Sequence, residues 1–153
     1  MNVLTISKIR DGTVIDHIPA GKALEVLKIL GIKSGSGERV SMAMNVESKK
    51  MGRKDIVKVE GKFISEEELN RIALVSPKAT INIVQNFEIV RKFRVSLPER
   101  VEGVLTCPNQ NCISNDPREP VVSAFRISEE SGGVVARCEF CGKKVYDVER
   151  YLV

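Results

Sequence analysis

Four cysteines fall within 35 residues of one another in a chain of 153 and do more than any other feature to limit its folding. Four residues separate Cys107 from Cys112, two separate Cys138 from Cys141, and 25 lie between the pairs. Each close pair can offer two sulfurs from one turn, which suits a tetrahedral metal site. Pro108 and Gly142 supply the turn chemistry beside them. Clustered thiols in a reducing compartment read as metal ligands rather than disulfides. The spacing favours one zinc ion per chain held by Cys107, Cys112, Cys138 and Cys141; a rubredoxin-like iron site normally uses two Cys-x2-Cys pairs, and the first pair here is longer. Four protein sulfurs leave no open position for water or substrate, so the expected role is structural.

The residues around the cysteines explain why a staple is needed. Beyond Ser96-Leu97-Pro98-Glu99-Arg100, which breaks the preceding pattern and reads as a linker, only short strands are expected: Val101 to Leu105, Val121 to Ile127, Val134 to Arg137 and Lys143 to Val148. So small a piece buries little apolar surface unaided. Two units follow, residues 1–98 and residues 99–153.

The first unit shows richer patterning. Val3-Leu4-Thr5-Ile6 and Thr13-Val14-Ile15 are β-branched runs separated by an Asp11-Gly12 turn signal. Pro19 to Gly31 carries Ala20, Leu24, Leu27 and Leu30 at helical spacing and ends on glycine. Val40, Met42, Met44 and Val46 alternate as in a half-buried strand, which makes packing residues of the two methionines; Asp55 to Val59 returns as its partner. Ser65 and Glu68 form a capping box for a second helix, with Ile64 and Leu69 as its staple, and Ser76-Pro77 stops it. Thr80 to Val84 and Phe87 to Val95 complete the series as strands about a tight connection at Gln85-Asn86. The expected class is α+β: a mostly antiparallel, ferredoxin-like sheet with two helices, followed by a small all-β zinc-binding domain.

Charge divides along the same boundary. Residues 1–98 hold 17 Lys or Arg against 11 Asp or Glu, whereas residues 99–153 hold 7 against 9. A basic first unit can attract polyphosphate through its field, and a mildly acidic second unit cannot. This weighs against the main rival, a zinc-ribbon nucleic-acid-binding protein, as does an aromatic content of 5% with no interleaved basic stripe for stacking bases. Catalysis is disfavoured by a single histidine, no Ser/His/Asp grouping and no glycine-rich phosphate loop. Glu66, Glu67 and Glu68 sit at a helix start, where they complement the dipole. The amino terminus has no long apolar run with a basic flank, so a cytoplasmic protein without a membrane span is expected.

Four blocks carry a likeness to a known family: Gly12-Thr13-Val14-Ile15-Asp16-His17-Ile18-Pro19, Met51-Gly52-Arg53-Lys54-Asp55, Ser96-Leu97-Pro98-Glu99-Arg100 and Cys107-Pro108-Asn109-Gln110-Asn111-Cys112-Ile113-Ser114. In this order, and with this cysteine spacing, the chain resembles the regulatory chains of aspartate carbamoyltransferase. The resemblance implies a non-catalytic subunit of pyrimidine biosynthesis. Residues 1–98 would be an allosteric domain for CTP or ATP, and residues 99–153 a zinc domain contacting the catalytic chain. Homodimers of regulatory chains would bridge catalytic trimers, with neither nucleic acid nor membrane as partner. It implies an effector site at Ile6, Ile9, Asp16, His17, Lys58, Asn82, Val84, Phe87, Ile89 and Lys92. There Lys92 and His17 would meet phosphate, Lys58, Asp16 and Asn82 the ribose or base, and Ile9, Val84, Phe87 and Ile89 would frame the base. Phe87 stands where the family commonly has tyrosine and Lys8 where a small residue is familiar.

Overall fold

The structure, a computed structural model, describes residues 9–131 and 133–153. The strand expected over Val3-Leu4-Thr5-Ile6, with Ile6 and Lys8, lies outside the described residues. The first strand, β1 (Gly12–Pro19), begins where only glycine fits: a Cβ at Gly12 would stand 2.2 Å from the Val59 carbonyl oxygen. The chain continues through α1 (Ala23–Ile29), β2 (Val40–Ser48), β3 (Gly52–Glu60), α2 (Glu66–Val75), β4 (Thr80–Gln85) and β5 (Glu88–Arg94). The five strands form one antiparallel sheet ordered β2-β3-β1-β4-β5. Without β5 this is the ferredoxin-like order, and β5 extends it as a hairpin.

Both helices cover one face. Ile15 and Ile18 of β1, Val57 and Val59 of β3 and Ile81 of β4 pack with Ala23, Val26 and Leu30 of the first helical segment and Ile72 and Ala73 of α2. Strand alternation therefore turns Val14, Lys58, Thr80 and Asn82 to the opposite face. That uncovered face carries the candidate ligand residues.

α1 is shorter than its sequence pattern, and its buried face is rotated from the expected one. Pro19 to Gly21 form a turn closed by Lys22 N–H donating to the Pro19 carbonyl, 3.0 Å. The fully buried Asp55 then accepts the N–H groups of Gly21 and Ala23 on Oδ2 and of Asn45 on Oδ1. Ala23, Val26 and Leu30 consequently face the core, while Leu24 is 54% exposed. α2 matches its signals: Ser65 Oγ accepts the Glu68 N–H and Glu68 answers to the Ser65 N–H.

The methionines correct an expectation. Met42 and Met44 are 44% and 43% exposed, because β2 is an edge strand whose pairing with β3 shifts between Ala43 and Val46. An edge position leaves one side of each side chain without a neighbour.

In the second unit, β6 (Arg100–Glu102), β7 (Ala124–Glu130), β8 (Gly133–Cys138) and β9 (Lys144–Val145) form an antiparallel sheet in chain order. The strand expected over Lys143 to Val148 keeps only two residues, because Val148–Tyr151 winds into a 3-10 turn. Likewise β6 stops before Gly103, which lies at φ 69°. Val101, Leu105, Phe125, Val134, Ala136, Val145 and Val148 pack around Cys107, Cys112 and Cys138, and Leu74 of α2 joins them. Lys22 pairs with Glu149 across the junction, and Arg71 Nη1 donates to the Val153 carbonyl oxygen at 2.7 Å. Among the described residues no helix is long and apolar enough to cross a membrane.

Candidate effector and metal sites

The four thiols converge from two loops. Cys107 and Cys112 flank a turn in which the Cys112 N–H donates to the Asn109 carbonyl, 3.0 Å. Asn115 Nδ2 holds that turn by donating to the carbonyls of Cys107 and Asn109, 2.8 Å each. Cys138 ends β8, and Gly142, at φ 79°, returns its N–H to the Cys138 carbonyl so that Cys141 swings back. Sγ of Cys107 lies 3.6 Å from Sγ of Cys141, and Sγ of Cys112 lies 3.7 Å from Sγ of Cys138. All four lie within 4.8 Å of one another and could hold a metal ion.

Their protonation differs. Burial pushes the Cys107 thiol up to about 12 and raises that of Cys138. Burial opposes ionisation at Cys141 as well, but the Lys143 N–H with bonds from Asn109 and Cys107 brings it down to about 6. A cation entering this cluster therefore displaces protons from the buried members as it binds.

The uncovered face of the first sheet holds two recesses. The first, about 500 Å³, is lined by Ile9, Val14, Lys58, Asn82, Val84, Phe87, Glu88 and Ile89. It gathers six of the ten residues named from the sequence. The turn between β4 and β5 shapes its rim: Asn86 and Phe87 both have positive φ, 52° and 66°, as a tight hairpin connection requires. Their N–H groups donate to Asp11 Oδ1 and the Arg10 carbonyl, tying the turn to the start of β1. Phe87 and Ile89 are thereby left 58% and 61% exposed at the opening. At the other end Asn82 is 8% exposed, and its Oδ1 is buried without a hydrogen-bond partner among the described residues. A buried acceptor without a donor is costly, so this atom calls for one from a bound molecule or water.

The second recess, about 270 Å³, is lined by His17, Lys50, Met51, Lys78, Thr80 and Arg94. His17 takes φ 59° where β1 slips register between Ile15 and Ile18, and its Nδ1 lies 3.0 Å from Thr80 Oγ1. Asp16 borders neither recess. Its carboxylate accepts the His17 N–H at 2.6 Å and pairs with Lys54 at 2.9 Å. Burial works to raise its pKa, but the Lys54 hydrogen bond and the His17 N–H together hold it below the ordinary aspartate value. Lys92 lines neither recess but stands directly opposite Asn82 in the β4–β5 ladder. Sequence reasoning did not name Val14, Glu88, Lys50, Met51, Lys78, Thr80 and Arg94, which complete the two linings. Alternation along β4 carried a signal for Thr80, since it shares a face with Asn82 and Val84.

Comparison with known proteins converges on one family. Residues 4–96 match the family model described as aspartate carbamoyltransferase regulatory chain, allosteric domain, and residues 99–150 match that described as its metal binding domain. An aspartate carbamoyltransferase regulatory chain of Archaeoglobus fulgidus is 60% identical over 152 residues, covering 99% of both chains. One of Pyrococcus horikoshii is 53% identical over 150 residues, covering 97% of each, and one of Staphylothermus marinus is 50% identical over 153, covering 99% of this chain and 93% of the relative. With both domains matched and the full length covered, the chain belongs to the family of aspartate carbamoyltransferase regulatory chains, which are non-catalytic subunits.

Proposed function

We propose that residues 1–98 bind CTP or ATP as an allosteric effector on the uncovered sheet face, and that residues 99–153 fix the chain to a catalytic chain of aspartate carbamoyltransferase. The observation that carries the effector reading is the first recess. It combines apolar walls for a base, the Lys58 ammonium, and a buried Asn82 oxygen in want of a donor. Such a mixture of apolar surface with a few placed polar groups is the usual make-up of a small-molecule site. Effector binding then shifts the balance between activity states of the assembled enzyme, a coupling between separate sites and not chemistry on the nucleotide.

The metal in this reading is zinc, whose role is to hold four sulfurs together. A tetrahedron with Zn–S lengths of about 2.3 Å has S–S edges of about 3.8 Å. The 3.6 and 3.7 Å separations fit it. In the same unit, Ile113, Val122, Phe140 and Tyr146 are exposed and offer apolar surface to a partner. The exposed Met42 and Met44 on the edge strand β2, with Leu24 lining a recess beside Met42, suit the pairing of regulatory chains into homodimers that bridge catalytic trimers. The setting is the cytoplasm and the pathway pyrimidine biosynthesis.

The test mixes the purified chain with the catalytic chain of the same organism and titrates aspartate with and without CTP or ATP. The expected result is a larger assembly containing one zinc per regulatory chain, whose aspartate response moves with nucleotide. A catalytic oligomer that neither takes up the chain nor responds to nucleotide in its presence would overturn the reading.

A further inference from the structure

We infer that Asp55 is the positioning residue of the face through which two copies of this chain pair: its buried carboxylate fixes the start of α1 against the middle of β2 and so sets the apolar groove between them. This rests on the homodimer reading above and assigns to it a residue that lines neither recess of the uncovered face and lies outside the thiol cluster.

Asp55 is fully buried on the helix-covered face of β3, in phase with Val57 and Val59. A carboxylate there is costly unless donors surround it. The N–H groups of Gly21 and Ala23 reach Oδ2 at 2.9 and 3.0 Å, and that of Asn45 reaches Oδ1 at 2.8 Å. Gly21 and Ala23 lead into α1, and Asn45 belongs to β2, so one side chain holds two separate elements. Bonds to a charged acceptor are about twice as strong as neutral ones. Every side-chain hydrogen bond of Asp55 among the described residues goes to these two elements.

The hold on β2 falls at its bulge. Val40 and Met42 stand opposite Val59 and Val57, on the helix-covered face, whereas Val46 stands opposite Lys54 on the other. The register slips between Ala43 and Val46, and Asn45 turns there with φ 61°. Asp55 takes the Asn45 N–H while Arg53 Nη1 donates to the Asn45 carbonyl at 3.1 Å, so both backbone groups at the slip are held by β3. The bulge therefore decides where the apolar run on the side of α1 ends. With α1 fixed by the same carboxylate, Leu24, Leu27, Ile32, Val40 and Met42 line one groove of about 490 Å³. Leu24 and Met42 remain exposed there, and β2 is an edge strand. Such an edge suits a second copy as occupant, because the same patch then meets itself about a two-fold axis. The two-fold repeats every contact, so a misplaced α1 is felt twice.

The experiment measures the dimer dissociation constant of the full-length chain by analytical ultracentrifugation, with amide exchange in β4 and α2 as the check on folding. Asp55→Asn keeps the side-chain volume but sets an amide among N–H donors, and it is expected to weaken pairing at least about tenfold while β4 and α2 stay protected. Arg53→Gln, an exposed change, is expected to weaken it about threefold. In a Met42→Ala background the effect of Asp55→Asn should shrink to less than about threefold, since residues that act through one surface are not additive. Pairing as tight as wild type in a folded Asp55→Asn chain overturns the assignment, as does an undiminished loss in the Met42→Ala background. If Asp55→Asn strips protection from β4 and α2, Arg53→Gln decides: weakened pairing supports the assignment and unchanged pairing overturns it. A wild-type chain that stays monomeric at every concentration overturns the homodimer reading, and this inference with it.

Discussion

The two halves of this chain hold themselves together by different means. Residues of the first sheet and its two helices bury a continuous aliphatic core, from Ile15 and Ile18 through Val57, Val59 and Ile81 to Ile72 and Ala73. The second sheet has Phe125 and a few valines, and three of its buried positions are cysteines. It even takes Leu74 from α2 of its neighbour. Where apolar area is sufficient the hydrophobic effect sets the fold, and where it is not a cluster of thiols able to hold a metal ion sits at the centre. One half thus leaves one sheet face uncovered, and the other gives its centre to four thiols that could hold a metal ion.

The sharpest way to break this contrast is to open the thiol cluster. Cys138→Ser removes a ligand 1% exposed at the end of β8. Structural zinc sites contribute roughly 10–16 kcal/mol to folding, far more than so small a core can replace. The variant is expected to lose its metal and the order of residues 99–153, and with it assembly onto catalytic chains. The aliphatic core of the first sheet should persist. Amide exchange read strand by strand gives the answer: protection vanishing from β7 and β8 while remaining in β1 and β3. Simultaneous loss from both sheets would mean that the two regions fold as one unit.

Much of this was legible in the sequence, for identifiable reasons. The capping box at Ser65 and Glu68, the alternation on β3 and β4 and the cysteine spacing are local signals, and each is realised in the structure. What the sequence hides is non-local. Nothing near Ala23 announces that α1 begins there, because its N–H groups are met by Asp55 from another strand. Met42 and Met44 read as packing residues because alternation says nothing about whether a strand is central or at an edge. Of the proposed effector residues, Lys58, Asn82, Val84, Phe87 and Ile89 meet because β3, β4 and β5 share a face. Asp16 and Lys92 were expected in one cluster with them and line neither recess, since a bulge turns Asp16 toward Lys54 and Lys92 stands between the two.

A second test asks how separate the cores are. Ile72 and Leu74 are neighbours on α2, 0% and 2% exposed, yet they belong to different clusters. Truncating either to alanine in a packed core costs about 2–5 kcal/mol. Ile72→Ala is expected to weaken exchange protection chiefly in β1 and β3, and Leu74→Ala chiefly in β7 and β8. If each variant weakens both sheets equally, α2 is the spine of a single core and the contrast between the halves is only one of composition.

The smallest expected effect lies in the ion pair that crosses the junction. Lys22, just before α1, meets Glu149 in the last 3-10 turn, and their side chains are 36% and 18% exposed. Burial alone would raise the Glu149 pKa, but the Lys22 hydrogen bond and charge outweigh it and hold the carboxyl below its ordinary value of 4.5. A carboxylate depressed on folding contributes stability that is fully present above the unfolded value and lost as pH falls through the folded one. Partly exposed pairs are worth up to about 1 kcal/mol, screened further by salt. Glu149→Gln is therefore expected to lower the urea midpoint slightly and by a constant amount from neutral pH down to about pH 5. Below pH 4.5 the wild type protonates the same group, and the two unfolding curves should draw together. The measurement is paired urea titrations at several pH values and two salt concentrations. A difference that survives undiminished at pH 3.5, or that exceeds about 2 kcal/mol at neutral pH, would show that Glu149 acts by packing rather than by charge, and would place the junction with the cores instead of outside them.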